Sequence, residues 1–433
     1  MLLIAAALLY ARQEPSIRVE VRQVVVPVFV TDSKGHHVTG LHTSDFRILE
    51  DGVPQEIASF STDAGDPTLT AQPASAPRHT YVICLDTLHT STAGADRIRH
   101  SLESLFEKER TSNAQYVLIA IGRKLQVLVP ATTNPLALVA KIRGPAFANA
   151  FSGLDSSTFA TQVGAIRRRM DEFCRNCACG AHSNPHNCAS EIDNLKQSID
   201  TEADRWAVPA QALLDDFKSV VEELAKLPTG RTLILISDGF STDARREFYA
   251  AVSAYLPNNP QFHLADSPAS DPDLRAVLKT ASDRNIVIDT INSQTGFLAS
   301  MPDTGSMEAA SSGATPTATD PLGTNRPNPR DRNVQTGPLQ TELGHRTIPT
   351  SPETSATMEY LAHATGGLYL RSYIDLAKPL RSALAEGREY YVLAYTPKNG
   401  ARDGKYRTIT VETTGKNLTL RAKPGYWAPG DAQ

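Results

Sequence analysis

The chain has 433 residues, of which 41% are hydrophobic and 21% are charged, a balance typical of globular proteins. That length exceeds one ordinary hydrophobic core, so we expect two domains with insertions. The formal net charge of −4 argues against a general nucleic-acid-binding protein, which needs a basic surface.

A short apolar stretch opens the sequence. Leu2 to Tyr10 has the length of a signal-peptide hydrophobic region and is too short to cross a bilayer. No basic residues precede it, so we interpret residues 1–13 as a clipped or atypical export signal. An apolar terminal helix, or a start codon placed too late, is the alternative. No later segment has the length and hydropathy of a membrane span. From the export signal, the predicted location is secreted, periplasmic or at the cell surface.

Strand patterns fill residues 17–62, which we predict to be an N-terminal β-module. Within residues 17–32, apolar and polar residues first alternate, and the segment then becomes apolar and β-branched. Both patterns are typical of strands. Asp51 and Gly52 form a dipeptide typical of a hairpin turn. Residues 63–79 are rich in Pro, Ala and Thr, which indicates a linker.

An α/β pattern occupies residues 80–387. The apolar runs at 81–85 and 232–237 are typical of strands that are buried on both faces. Segments between such runs, including residues 211–226, have the apolar spacing of helices. Strands that alternate with helices predict a doubly wound, mostly parallel sheet.

Two insertions interrupt this pattern. Residues 171–190 are rich in cysteine, and residues 298–354 consist mainly of Pro, Thr, Ser, Gly and Asn. The second segment has too little apolar surface to offset the entropy of ordering, so we predict a disordered insertion. A packed loop excursion is the alternative.

Alternating strand patterns return at residues 388–429. Because both ends of the chain are rich in strands, we expect the N- and C-terminal strands to form one β-sandwich, with the α/β domain inserted between them. Two separate β-modules are the alternative, although their short edges would remain unpaired.

Four of the five cysteines are clustered, namely Cys174, Cys177, Cys179 and Cys188. In an oxidising compartment such a cluster forms two disulfides with three possible connectivities. In a reducing compartment Cys-x-x-Cys with nearby histidines indicates a zinc site, although the spacing departs from common finger patterns. The predicted export signal favours disulfides. The fifth cysteine, Cys84, lies in a predicted core strand and is expected to be an inert small hydrophobe.

Two of the predicted strands end in an aspartate. Asp86 follows the run at 81–85, and Asp238 follows the run at 232–237. Ligands of open parallel sheets bind outside the carboxyl ends of the strands. Carboxylate and hydroxyl oxygens are the ligands of hard cations, so the sequence predicts a cation site at this edge.

This arrangement resembles the metal-ion-dependent adhesion site of the von Willebrand factor A family. The last loop of that family reads Ser-Asp-Gly, as Ser237-Asp238-Gly239 does here. Its first loop reads Asp-x-Ser-x-Ser, which Asp86 and Thr90 match, whereas Leu88 replaces the first serine and has no oxygen to donate. A middle loop supplies a threonine, for which Thr158 is the candidate.

The resemblance implies a Mg²⁺ or Mn²⁺ site that captures an acidic side chain of a protein partner. Its ligands would be Asp86, Thr90, Thr158 and Asp238. The alternative is a retained fold whose metal site has decayed, with the two aspartates acting as caps at the strand ends.

The resemblance extends to both ends of the chain. Four segments are similar to bacterial VWFA-related proteins, which are abundant in acidobacteria and known mainly as predicted exported proteins. These segments are residues 19–60, 361–370, 388–413 and 421–429. The resemblance implies a von Willebrand A-like fold more firmly than a function.

Three functions are compatible with the sequence. The first is an exported, non-enzymatic binding or adhesion module, and the second is a structural or assembly scaffold of the cell envelope with a vestigial metal site. The third is a hydrolase with a metal-bound water between the two aspartates, for which no recognisable general base is present. The sequence has no nucleophile elbow, zinc-hydrolase helix or phosphate-binding loop, and His89 and His100 are expected to be exposed to solvent.

Overall fold

The computed structural model describes residues 23–62, 79–109, 114–122, 124–152, 156–177, 188–227, 230–263, 271–293, 352–371, 375–387 and 389–430. The side chains of residues 152–161 and 352–355 are not described. The predicted export signal, nearly all of the predicted linker and residues 298–351 of the predicted insertion lie outside the described residues.

Strands form both the first and the last parts of the described chain. The strands are β1 (Val24–Thr31), β2 (Phe46–Glu50), β3 (Val53–Gln55), β4 (Ile57–Ser61), β5 (His79–Asp86), β6 (Ala114–Ile121), β7 (Gln126–Thr132), β8 (Gly230–Ser237), β9 (Ile286–Asn292), β10 (Tyr369–Arg371), β11 (Tyr391–Tyr395), β12 (Tyr406–Thr413), β13 (Thr419–Ala422) and β14 (Gly425–Trp427).

The α-helices lie in the middle of the chain. They are α1 (Thr92–Lys108), α2 (Pro135–Ile142), α3 (Pro145–Ser152), α4 (Ser156–Cys177), α5 (Ala189–Leu224), α6 (Ala244–Ser253), α7 (Pro272–Asp283), α8 (Pro352–Thr365) and α9 (Ala377–Glu386). None of the described helices is both long enough and apolar enough to span a membrane.

The central sheet has six strands in the order β10-β9-β8-β5-β6-β7. All neighbouring strands are parallel except β7, which runs antiparallel to β6 at one edge. The predicted doubly wound, mostly parallel sheet is therefore confirmed, and its strand order is consistent with a von Willebrand A-like fold. The direction of winding changes between β5 and β8, so these two strands form the topological switch point of the sheet.

Helices cover both faces of the central sheet because its strands are apolar on both sides. Along β5, Val82 and Cys84 belong to one hydrophobic core, whereas Ile83 and Leu85 belong to the other. This division follows from the alternation of side chains along a strand. The first core also contains residues of α5, α6, α7 and α8, and the second contains residues of α1, α2, α3 and α9.

Strands from both ends of the chain form one β-sandwich. Its two sheets have the orders β13-β1-β11-β4 and β14-β12-β2-β3, so each sheet combines N-terminal and C-terminal strands. The two sheets share one core, which includes Val26, Ile48 and Leu393. The predicted single sandwich is confirmed, and the alternative of two separate β-modules is wrong.

The sandwich contacts the α/β domain at the amino ends of the central strands. Phe29, Tyr390 and Val392 of the sandwich side pack around Val287, the second residue of β9. His79, the first residue of β5, lies edge-on to Tyr390 with ring centroids 6.3 Å apart. The carboxyl ends of the central strands therefore lie at the opposite side of the α/β domain from this contact.

A disulfide connects the two helices of the cysteine-rich segment. Cys177 at the end of α4 is bonded to Cys188, which directly precedes α5. Cys174 is also disulfide-bonded, and Cys179 lies outside the described residues. The disulfide interpretation is confirmed for Cys177 and Cys188, and the zinc alternative is wrong for this pair because their sulfurs are bonded to each other. Cys84 is a buried free thiol, and burial raises its pKa, in line with an inert core residue.

Candidate functional site

The two predicted site aspartates lie side by side at the switch point. Leu85 of β5 pairs with Ile236 of β8, which places Asp86 opposite Ser237 at the carboxyl edge. The Ser237 hydroxyl donates a hydrogen bond of 2.6 Å to Asp86 Oδ2. Asp238 follows directly in the loop after β8. The structure thus brings Asp86 and Asp238 together, as the sequence predicted from their positions at strand ends.

The carboxylate of Asp86 is fully buried and accepts four hydrogen bonds. The backbone N–H groups of Leu88 and His89 donate to Oδ1 at 2.9 and 3.1 Å. Oδ2 accepts from the Ser237 hydroxyl and, at 2.8 Å, from Nδ1 of His89. With the Asp86 carboxylate as the acceptor, Nδ1 of His89 is the donor in this contact. About four acceptor positions exist on a carboxylate, and all of them are occupied.

His89 and Leu88 are both buried in the loop that follows β5. The side chain of His89 is only 3% exposed, so the expectation of a solvent-exposed histidine is wrong. The reason is its partner, since the ring is drawn inward by the buried carboxylate of Asp86. Leu88 packs into the hydrophobic core on one face of the sheet, where an apolar side chain is favourable.

Thr90 contributes an unpaired hydroxyl to the same loop. Its side chain is completely buried, and Oγ1 has no hydrogen-bond partner among the described residues. Thr158, the fourth predicted ligand, lies in the first turn of α4, and its side chain is not described. The role of Thr158 stays a prediction.

The carboxylate of Asp238 is held by residues that sequence reasoning did not identify. Ser91 donates to Oδ2 from its backbone N–H at 2.9 Å and from its hydroxyl at 2.8 Å. The Ser293 hydroxyl donates to Oδ1 at 2.7 Å, and Arg97 Nη2 lies 3.8 Å from the same oxygen. Arg97 also donates to the carbonyl of Ser293 at 2.7 Å, which fixes the guanidinium beside Asp238.

Helix α1 begins directly at this site. Ser91 is its N-cap and accepts a hydrogen bond from Gly94 N at 3.0 Å. The positive end of the helix dipole therefore faces the Asp238 side chain. A β-carbon at Gly94 would lie 2.5 Å from Asp238 Oδ2, so only glycine allows this close approach. A serine before a helical pattern was a usable sequence signal for the cap, whereas Ser293 and Arg97 had none.

The arrangement does not fit the ligand set of a hard divalent cation. Asp86 has no acceptor position left, and Asp238 already interacts with two hydroxyls, one N–H group and a guanidinium. Thr90 Oγ1 is the site oxygen without a partner. Among the described residues, no group of three or more His, Cys, Asp or Glu side chains could hold a metal ion. The Mg²⁺ or Mn²⁺ site stays a prediction.

A cleft of about 340 Å³ lies between α1 and the start of α9. Its lining residues are Asp96, Arg97, His100, Ser101, Ser104 and Asp375. Arg97 connects this cleft to Asp238, because its guanidinium faces that carboxylate. Thr92 and Ala93, in the first turn of α1, are exposed at the carboxyl edge.

No protein-family model matches the sequence, and no curated protein matches it either. Among solved structures, an aerotolerance-related membrane protein from Bacteroides fragilis aligns with a TM-score of 0.30 and 10% identity, over 71% of this chain and 98% of that one. The conserved hypothetical protein BatB from Bacteroides thetaiotaomicron aligns over the same shares with a TM-score of 0.29 and 10% identity. The human COPII-coat protein Sec24c aligns over 83% of this chain and 44% of its own, with a TM-score of 0.28 and 8% identity. Similarities at this level carry no argument about function.

Proposed function

We propose that the chain is an exported, non-enzymatic binding module of the cell envelope, with a von Willebrand A-like domain that contacts a protein partner through the carboxyl edge of its sheet. The observation that carries the proposal is the meeting of the Asp86 and Asp238 loops at the topological switch point, beside an open cleft. Ligands of open α/β sheets bind at this place. The sandwich packs at the opposite end of the domain, so within the described part of the chain it does not cover this edge.

The hydrogen bonding of the site supports a non-enzymatic role. A general base needs a free acceptor position, and Asp86 has none. The Ser237 hydroxyl donates to Asp86 instead of to a histidine, so it lacks the arrangement of an activated nucleophile. Thr92, Ala93 and Asp96 are exposed next to the site, where a protein partner can contact them.

The disulfide supports export. Disulfides persist in oxidising compartments such as the periplasm or the cell exterior, and the bond between Cys177 and Cys188 belongs to that environment. The apolar stretch at the start of the sequence supports the same location.

The partner group implied by the family resemblance is an acidic side chain, which needs an open position on a bound metal. The cleft itself carries charges of both signs, with Asp96 and Asp375 beside Arg97 and His100, and Asp96 is already paired with Arg99 at 3.2 Å. The cleft therefore offers a partner charged contacts of both signs.

An envelope scaffold is the second candidate function. The buried carboxylate of Asp86 favours this function, because it is hydrogen-bonded to Ser237 within the protein. Such a vestigial metal site would maintain the fold and have no binding role. In that case the contacts with other proteins would come from the sandwich or from the disulfide-linked helices, and the carboxyl edge would have no partner.

Cross-linking from two positions on the same helix distinguishes these functions. A photoreactive amino acid replaces either Ala93, at the carboxyl edge, or Lys108, at the other end of α1; both are exposed and lie about 22 Å apart. In cells that produce the protein, we expect an adduct of one defined mass from position 93 and none from position 108. Adducts from position 108 alone, or from neither position, would contradict binding at the carboxyl edge.

A further inference from the structure

We propose that His89 takes the place of a divalent cation in the Asp86 loop, so that the carboxyl edge keeps its shape without bound metal. Two contacts come from this one residue. Its backbone N–H binds Asp86 Oδ1 at 3.1 Å, and its ring Nδ1 binds Oδ2 at 2.8 Å. His89 therefore bridges both oxygens of the carboxylate.

Burial shields this bridge from water. Asp86 is fully buried and the His89 side chain is 3% exposed, so water does not compete for the contact. The ring also lies against Phe240, with centroids 6.2 Å apart, which limits its rotation away from Asp86. An isolated buried carboxylate is costly, and hydrogen-bond donors to its charged form offset that cost.

The same principle holds at the second aspartate. Asp238 is compensated by the guanidinium of Arg97 at 3.8 Å and by the N-terminus of α1. Both carboxylates are thus supplied with donors by the protein itself. A cation that binds Asp86 directly has to displace either His89 or Ser237, and loses the hydrogen bond that it replaces.

Leu88 is consistent with this substitution of a metal by a side chain. Its position would supply a ligand oxygen in the first loop of the resembled family, and here it is a core residue that is 3% exposed. In this loop Leu88 packs inward and His89 closes the loop through its two contacts with Asp86. Metal independence of the loop does not depend on any partner, so failure of the cross-linking experiment would leave it intact.

Metal titration and thermal unfolding of the purified full chain test this role. The variant is His89→Ala, and the matched control is His36→Ala. His36 contacts Asp32 through the same pair of groups, its backbone N–H at 2.8 Å and Nδ1 at 3.3 Å, but its side chain is 74% exposed. Each protein is titrated with Mn²⁺ and melted in EDTA and in Mn²⁺.

For the wild type and His36→Ala we expect no Mn²⁺ binding and the same Tm in EDTA and Mn²⁺. For His89→Ala we expect a Tm lower by roughly 3–10 °C, because a buried charged acceptor loses its donor. Mn²⁺ should restore part of that loss, since the freed position on Asp86 Oδ2 becomes available to a cation.

Two results would overturn the proposal. One is Mn²⁺ binding to the wild type at one site that Asp86→Ala abolishes, which requires no His89 variant to fold. The other is a Tm of His89→Ala equal to that of His36→Ala. If His89→Ala does not fold, His89→Asn takes its place, since asparagine retains an N–H donor; we expect its Tm to be lower than that of the wild type and unchanged by Mn²⁺.

Discussion

A single glycine allows α1 to begin against Asp238. A β-carbon added at Gly94 would lie 2.5 Å from Asp238 Oδ2, which is closer than β-carbons approach other heavy atoms in proteins. Gly164 in α4 is also helical, yet a β-carbon there would meet only the end of the flexible Arg168 side chain, at 3.5 Å. The two glycines therefore separate the effect of the close contact from the general effect of glycine in a helix.

Alanine at these two positions should have opposite effects on stability. Gly94→Ala is expected to lower the free energy of unfolding by roughly 1–3 kcal/mol, because Asp238 must move from Ser91 and Ser293. Gly164→Ala is expected to raise it by roughly 0.5–1 kcal/mol, because alanine favours the helix. Chemical denaturation measures both values. A stabilising Gly94→Ala would show that α1 does not approach Asp238 as closely as the structure has it.

At the scale of residues, the sequence predicted the acids of the site and missed their partners. Asp86 and Asp238 were identifiable because each follows an apolar run. Ser293 contacts Asp238 across 55 residues of sequence, and Ser91 does so across 147. Such contacts are created by tertiary folding, so no local pattern predicts them. His89 was misplaced for the same reason, because its burial depends on the carboxylate that it binds.

Elements of the sandwich and of the α/β domain meet at one charged cluster, in which Asp289 is buried and Arg421 is partly exposed. Arg421 of β13 donates to the carbonyl of Gly366 and to the carboxylate of Glu386 at the end of α9. Its guanidinium lies over the ring of Phe29, 4.3 Å from the centroid. Asp289 of β9 lies in the same region and accepts a hydrogen bond of 2.7 Å from Leu368 N. Burial raises the pKa of Asp289 to about 6, although Arg421 and the Leu368 N–H group oppose this shift.

This cluster predicts a pH dependence that Asp289→Asn removes. The folded pKa of about 6 exceeds the ordinary value of 3.8, so the folded state binds the extra proton and the stability from this group is lost as the pH rises from about 4 to about 6. Asparagine keeps the oxygen that accepts from Leu368 and carries no charge. We expect equal Tm values for the two proteins near pH 4 and a higher Tm for Asp289→Asn at pH 7.

Thermal unfolding at several pH values between 4 and 7 measures this difference. Other acids titrate in the same range, but they contribute equally to both proteins and cancel in the comparison. A constant difference between the two curves, or a lower Tm of Asp289→Asn at pH 7, would contradict a buried Asp289 that is destabilising when ionised.

At the scale of elements, periodicity predicted most of the fold. Apolar and polar residues alternate at both ends of the chain, whereas the central strands are continuous apolar runs. This difference in pattern distinguished the sandwich strands from the α/β domain in the sequence. Gly366 and Gly367 directly follow α8, a place where glycine commonly ends a helix. Their tight packing has no local sequence signal, since a β-carbon at Gly366 would lie 2.7 Å from Lys423 N and one at Gly367 would lie 2.0 Å from Ile288 O. The first distance depends on how the sandwich docks, and the second depends on how the end of α8 packs against β9.

At the scale of the whole molecule, the sandwich and the carboxyl edge lie at opposite sides of the central sheet. The sandwich joins both ends of the chain and packs at the amino ends of β5 and β9. The Asp86 and Asp238 loops lie at the carboxyl ends, about 17 Å further along β9. This arrangement keeps the carboxyl edge away from the sandwich. A partner can therefore contact the carboxyl edge while the sandwich contacts another molecule.

The central claim is that this carboxyl edge binds its partner without metal. The most direct measurement repeats the cross-linking from Ala93 in the presence of EDTA and again with added Mn²⁺, each beside the untreated sample. The account predicts the same adduct at the same yield in all three conditions, because His89 and Arg97 already satisfy Asp86 and Asp238. Loss of the adduct in EDTA and its return with Mn²⁺ would contradict the account and establish a metal-dependent site.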